Sequence, residues 1–147
     1  MTVPRELSMR DGKLCQQPVH EIERMRGDCV CATGGETVEE PGRLFDLVVS
    51  CEGAQVIELE IRKGVFVRYA DGMLTLDMGD EGYGRDQRSI ELSELRDLRV
   101  LSDTTMVEIF ANGGEAALTS RTYSPAVPAM GLHAEGAASM DFYRLAH

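Results

Sequence analysis

Tryptophan is absent, and aromatic residues make up only 5% of the chain. Ring-shaped ligands are commonly held by stacking on exposed aromatic faces, so few such platforms are on offer. Phe45, Phe66, Phe110 and Phe142 fall mostly on strand positions and read as core. Tyr83, in a glycine-rich loop, is the one ring expected to stand exposed. Positive charge is also short: 15 Lys and Arg face 25 Asp and Glu, a net charge of −10. A polyanion would be repelled, which argues against nucleic acid as a partner. No apolar run reaches membrane-spanning length, which argues against a membrane partner, and no secretory signal opens the chain. The second absence is uninformative for a sequence that can begin inside a longer protein.

Ligand sets for a metal or cofactor are missing too. The cysteines, Cys15, Cys29, Cys31 and Cys51, are too few for a disulfide scaffold. Cys29-Val30-Cys31 lacks the two-residue spacing of a zinc or redox pair, so all four are expected to be reduced, small core residues. His20, His133 and His147 are scattered. Asp77, Asp80, Glu81 and Asp86 around Gly79–Gly84 offer oxygen ligands, but their spacing fits no calcium loop, and a solvated loop is expected. No Lys-Ser/Thr follows those glycines, which removes the phosphate-cradle reading. Ser120 and Ser124 sit in no nucleophile elbow. No metal and no cofactor is implied. No 20–50-residue repeat is present, so this chain is not itself a propeller.

What is present is alternation. At 147 residues and 43% hydrophobic content, one domain with a genuine core is expected. Phe45, Leu47, Val49 and Cys51 point one way, and the period of two continues through Ile57–Ile61, Val65–Tyr69 and Leu74–Met78. Turns at Gly53-Ala54, Lys63-Gly64 and Asp71-Gly72 make these four strands a meander. Further strands are expected over 2–9, 14–16, 29–33 and 88–92, with a loop from Gly34 to Gly42 and a last hairpin, 130–135 with 138–145, around Gly136. Pro18–Arg26 is the one helix candidate, with Val19, Ile22 and Met25 recurring every three residues. The organising stretch is Leu95–Tyr123, three strands joined by turns at Asp103-Thr104-Thr105 and Asn112-Gly113-Gly114. Both faces of its middle strand carry apolar residues, so it should be covered on both sides. The fold class is all-β with at most one short helix; composition and period leave sandwich and barrel open.

Two stretches carry a specific pattern: Asp103, Thr104, Thr105, Met106, Val107, Glu108, Ile109, Phe110, Ala111, Asn112, Gly113, Gly114 and Glu115, and, near the start, Pro4, Arg5, Glu6 and Leu7, then Gln17, Pro18, Val19, Glu21 and Ile22. The first resembles the signature near the C-terminus of the family 32 glycoside hydrolases, the invertases, sucrose-6-phosphate hydrolases, levanases and inulinases. The second resembles the segment leaving that family's catalytic domain. The resemblance implies a two-sheet antiparallel β-sandwich of the lectin-like jelly-roll kind. Residues 1–26 would leave an N-terminal five-bladed propeller and 27–147 would form the sandwich. The propeller is the implied partner, and a homodimer is a second expectation.

The parent reaction implied is retaining hydrolysis of terminal fructosyl bonds in sucrose, sucrose-6-phosphate or fructans. A sucrose-6-phosphate hydrolase-like parent implies a cytoplasmic setting. The family's carboxylates belong to a Trp-x-Asn-Asp-Pro-Asn-Gly block, an Arg-Asp-Pro block and a Glu-Cys block, none of which occurs here. Asp103 and Glu108 are the tempting pair for glycoside hydrolysis. They read instead as a turn former and a paired strand residue, so no catalytic residue is assigned and the isolated chain is expected to be inert. Pro4, Arg5, Glu6, Asp103, Glu108, Phe110, Asn112, Gly113, Gly114 and Glu115 are structural candidates, and Tyr83 is the candidate sugar contact. A carbohydrate-binding module and a free-standing lectin-like interaction protein are the alternatives.

Overall fold

The computed structural model describes residues 4–10, 12–18, 20–33, 36–51, 55–79, 87–122, 124–135 and 138–145. The strands are β1 (Arg5–Arg10), β2 (Lys13–Pro18), β3 (Arg26–Thr33), β4 (Thr37–Glu39), β5 (Phe45–Cys51), β6 (Val56–Arg62) and β7 (Val65–Ala70). They continue with β8 (Met73–Asp77), β9 (Gln87–Glu91), β10 (Asp97–Ser102), β11 (Met106–Ala111), β12 (Ala116–Arg121), β13 (Ala129–Glu135) and β14 (Ala138–Leu145). A short 3₁₀ helix, His20–Met25, replaces the helix expected over Pro18–Arg26, and it buries none of its residues.

Two six-stranded antiparallel sheets form a sandwich. The first runs β12-β11-β10-β5-β14-β3 and the second β4-β13-β6-β7-β8-β9, with β1 and β2 as a separate hairpin. The core lies between the sheets. Phe45, Leu47 and Val49 of β5 meet Val100, Ile109, Met140 and Phe142 on one side. Ile57, Leu59, Val67, Leu74 and Leu76 supply the other. Phe45 and Phe142 pack tilted, with ring centroids 5.3 Å apart.

Three expectations about connection are corrected. β5 does not join the meander: it pairs with β10 and β14, while β6-β7-β8-β9 form the meander in the opposite sheet. The 130–135 and 138–145 strands are no hairpin, since β13 pairs with β4 and β6 and β14 pairs with β3 and β5. The stretch expected as loop before Gly42 contains β4. One physical reason covers the first two. A period of two decides which face is buried, but strands on opposite walls of one core carry the same pattern, so period alone cannot choose the neighbour. The Asp71-Gly72 turn is as expected, both residues having positive φ, 52° and 71°, where a two-residue hairpin needs the mirror-image turn.

The alternation also breaks at Arg62. A register shift between Glu60 and Arg62 lets Ile61 and Arg62 both point inward, each 0% exposed. The guanidinium is held by oxygens of the loops closing that end of the sandwich. Nε donates to the Ser124 carbonyl at 2.8 Å, Nη1 to the Asp103 carbonyl at 2.7 Å and Ser102 Oγ at 3.2 Å, and Nη2 to the Thr104 carbonyl at 3.1 Å. Burial and the charge of Arg43 push its pKa down, and Asp103 opposes that. Arg62 thereby ties β6 to the β10–β11 turn across the core.

Arg62→Met should remove about 3 kcal/mol or more from unfolding stability in urea, because the stem still packs while buried acceptors lose their donor. Arg62→Lys should recover only part, since one ammonium cannot span the same oxygens. A loss below about 1 kcal/mol for the methionine variant would contradict this role.

Candidate functional site

The outward face of the first sheet should meet solvent, yet much of it is buried. Across the strands one row reads Thr119, Glu108, Leu101, Asp46, Tyr143 and Cys29; the next reads Ala117, Phe110, Arg99, Val48, Asp141 and Cys31. Glu108, Phe110, Leu101 and Asp46 are all buried. The roof over them is the chain's own N-terminal segment, the β1–β2 hairpin and the 3₁₀ helix.

Arg5 fastens that roof. Its Nη2 donates to Glu108 Oε1 at 2.9 Å and to Thr119 Oγ1 at 2.8 Å, while Nη1 donates to Gln16 Oε1 at 2.7 Å. The guanidinium lies over the Phe110 ring, 5.2 Å from its centroid. The side chains of Arg5 and Glu108 are only 23% and 3% exposed, so water screens the pair weakly. Arg5 of the first motif and Glu108 and Phe110 of the second, more than a hundred residues apart, thus form one cluster.

The second turn completes the seat. Asn112 is buried with positive φ; its Oδ1 accepts from the Arg96 backbone N–H at 2.7 Å and its Nδ2 donates to the Glu94 carbonyl at 2.9 Å. The Gly113 N–H donates to Asp97 Oδ1 at 3.0 Å, and the Gly113 carbonyl accepts from Gln17 Nε2. Gly114 has φ +97°, and a Cβ there would lie 2.1 Å from the Gln16 carbonyl oxygen, so only glycine lets β2 approach. Glu115 lies 3.4 Å from Arg96 Nη2.

A second buried ion cluster lies beside the first. Asp46, fully buried, accepts from Arg26 Nε at 2.7 Å, Arg99 Nε at 2.9 Å and Arg99 Nη2 at 2.8 Å. Arg26 also stacks on Tyr143, 4.2 Å from the ring centroid. Between roof and sheet remain two grooves of about 370 Å³ each. One, of mixed polarity, is lined by Gln17, Arg26, Arg99, Phe110 and Tyr143; the other, apolar, by Ile22, Met25, Leu101, Met106 and Leu145.

Asp103 is spent on its own turn, with Oδ1 accepting from the Thr105 and Met106 backbone N–H groups at 2.9 Å each. Glu108 is engaged by Arg5. Pro4 is exposed just ahead of β1, and Glu6 lies 3.6 Å from His20 Nε2. Tyr83, Asp80, Glu81, Asp86, Val19, Gly53, Ala54 and His147 lie outside the described residues. Phe45 and Phe142 are core, but Phe66 lies half-buried on the outward face of β7, with the Arg68 guanidinium 4.4 Å from its centroid.

The cysteine expectation needs correction. Cys15 and Cys51 are buried, and burial pushes the Cys51 thiol up to about 11. Cys29 and Cys31 are exposed instead. They share the outward face of edge strand β3, because its period of two gives the inward positions to Val30 and Ala32. Hydrogen bonds with Asp141 and with Cys29 push the Cys31 thiol up to about 12.

The sequence motifs flagged Arg5, Glu108, Phe110 and the Asn-Gly-Gly turn. Arg62, Asp46, Arg99 and Asp141 went unflagged. For Asp46 a signal existed: one acid set inside an otherwise apolar strand.

Gly114→Ala should cost about 2 kcal/mol or more, combining left-handed strain with the Gln16 clash, and should speed hydrogen exchange along β2. Gly72→Ala, where the nearest atom to a Cβ is 3.8 Å away, should cost only the strain, about 1–2 kcal/mol, and leave β2 exchange unchanged. Equal exchange in both variants would contradict the seating of the hairpin.

Residues 65–145 match the family described as glycosyl hydrolases family 32 C terminal. The chain is 36% identical over 151 residues to a raffinose invertase of Escherichia coli, covering 86% of this chain and 29% of that protein. It is 32% identical over 135 residues to a sucrose-6-phosphate hydrolase of Salmonella typhimurium, covering 86% and 26%. The sucrose-6-phosphate hydrolase structure from Lactobacillus gasseri superposes with a TM-score of 0.82 at 20% identity, over 97% of this chain and 33% of that one. The chain spans less than a third of the length of these curated relatives. With the sandwich, the motif cluster and the family match in agreement, the chain belongs to the family of C-terminal domains of the family 32 glycosyl hydrolases.

Proposed function

We propose that this chain is the structural C-terminal domain of an enzyme that hydrolyses terminal β-fructofuranosyl bonds of sucrose, sucrose-6-phosphate or a fructan. Residues 1–26 lead from an N-terminal five-bladed propeller that carries the catalytic carboxylates. The sandwich packs on that propeller and supports it, and a second copy is a further candidate partner. The parent reaction is retaining, through a covalent fructosyl-enzyme intermediate.

The observation that carries this reading is an apolar face on the hairpin. Leu7, Met9 and Leu14 are 66%, 67% and 54% exposed, with Met9 opposite Leu14 in the register. A domain that normally sits against a neighbour leaves such a patch when seen alone. Arg5 anchors the start of β1, and Leu7 and Met9 follow it along the same face of the strand, so the apolar row is presented from a fixed support rather than on a loose end. The two tempting carboxylates are committed to a turn and an arginine, in keeping with an inert isolated domain.

The test is the mass of the natural gene product, by immunoblot of source cells with antibody against this chain, beside a fructose-release assay on the purified chain. A band far above 16.2 kDa and no fructose from sucrose are expected. A band at 16.2 kDa would remove the propeller partner and put sugar binding first. Fructose release lost in Glu108→Ala would overturn the inert reading.

A further inference from the structure

The outward faces of β3 and β14 bring together Cys29, Cys31 and Asp141. The two sulfurs are 3.4 Å apart, and all three donor atoms lie within 4.8 Å of one another. The set is built by register: Cys29 and Cys31 point the same way on β3, and Asp141 is directly opposite Cys31 on β14. We propose that this trio is a surface site for a thiophilic divalent cation of the zinc class, held by two thiolates and a carboxylate.

Zinc binds thiolate at about 2.3 Å, so tetrahedral coordination wants sulfurs about 3.8 Å apart. The observed separation needs to open by only a few tenths of an ångström, within reach of side-chain rotation at two exposed positions. Ligands on paired strands are better fixed than ligands on a loop. Tyr143, hydrogen bonded with Cys29, stands beside the trio, and the fourth position is left to water. Arg26, which stacks on Tyr143, points its Nε at Asp46 rather than at the trio.

The Cys-x-Cys spacing, unlike a two-residue spacing on a loop, works here because the strand itself puts both sulfurs on one side. Disulfide closure is less favoured. Residues two apart on a strand have Cα atoms about 6.6 Å apart, near the upper limit for a disulfide. Closure would also consume both thiolates that coordination uses.

The test is a cobalt(II) titration of the 147-residue chain, reduced with a phosphine and kept under inert gas. A near-ultraviolet thiolate-to-cobalt charge-transfer band should saturate at one equivalent and collapse on adding zinc. Cys29→Ser and Cys31→Ser should each abolish it. Asp141→Asn should weaken affinity by at least the about 10–100-fold that lost outer-shell partners cost. Metal-free melting curves of all three variants should match the parent chain, separating a lost ligand from a lost fold. Absence of the band, its survival in either serine variant, affinity indifferent to Asp141→Asn, or variants that fail to fold would each overturn the proposal.

Discussion

The Arg5 guanidinium is the contact on which the arrangement of this domain's outer face depends. It joins the first described strand to a carboxylate, a hydroxyl and an aromatic face from β11 and β12. A carboxylate in the middle of a sheet is costly to bury unless its charge is met. Glu108 is buried by the hairpin that delivers its counter-ion, so roof and charge arrive together. Without Arg5 the hairpin would lose its anchor and Glu108 this ion pair.

The same logic repeats toward the middle of the sheet. Asp46 is buried between Arg26 and Arg99, and Arg26 opens β3 just after the 3₁₀ helix. The N-terminal segment is therefore held to the sandwich at both ends, by Arg5 at its start and Arg26 at its finish. Its two ends satisfy buried acids, and Leu7, Met9 and Leu14 stand exposed farther along the hairpin. A segment tied down in this way is suited to carry a neighbour's contact surface into register with the sandwich.

Much of this was legible in the sequence. Thirteen of the fourteen described strands, all but β4, were expected from period-two patterns and turn residues, and the Asn112-Gly113-Gly114 turn could be placed before its role as the hairpin's seat was known. The motif residues named Arg5, Glu108 and Phe110 without indicating that they touch. That contact is non-local, and no periodicity encodes it. Strand partners were misread where the chain crosses between sheets, at β5 to β6 and β13 to β14, because both walls of a sandwich carry one pattern. Arg62 follows the Ile57–Ile61 alternation at a position that a period of two turns outward, and a bulge cannot be seen in an alternation. Cys29 and Cys31 were assigned to the core from residue type, although the phase of β3 gives that face to Val30 and Ala32.

The most direct test is a double-mutant cycle on Arg5 and Glu108, with Arg5→Met, Glu108→Gln and the double variant compared in urea denaturation. These substitutions keep most of the side-chain volume and remove the ion pair. A coupling energy of about 1 kcal/mol or more is predicted, as for groups in one network. Additivity to within about 0.5 kcal/mol would contradict the account, since the hairpin would then be held by something other than this contact.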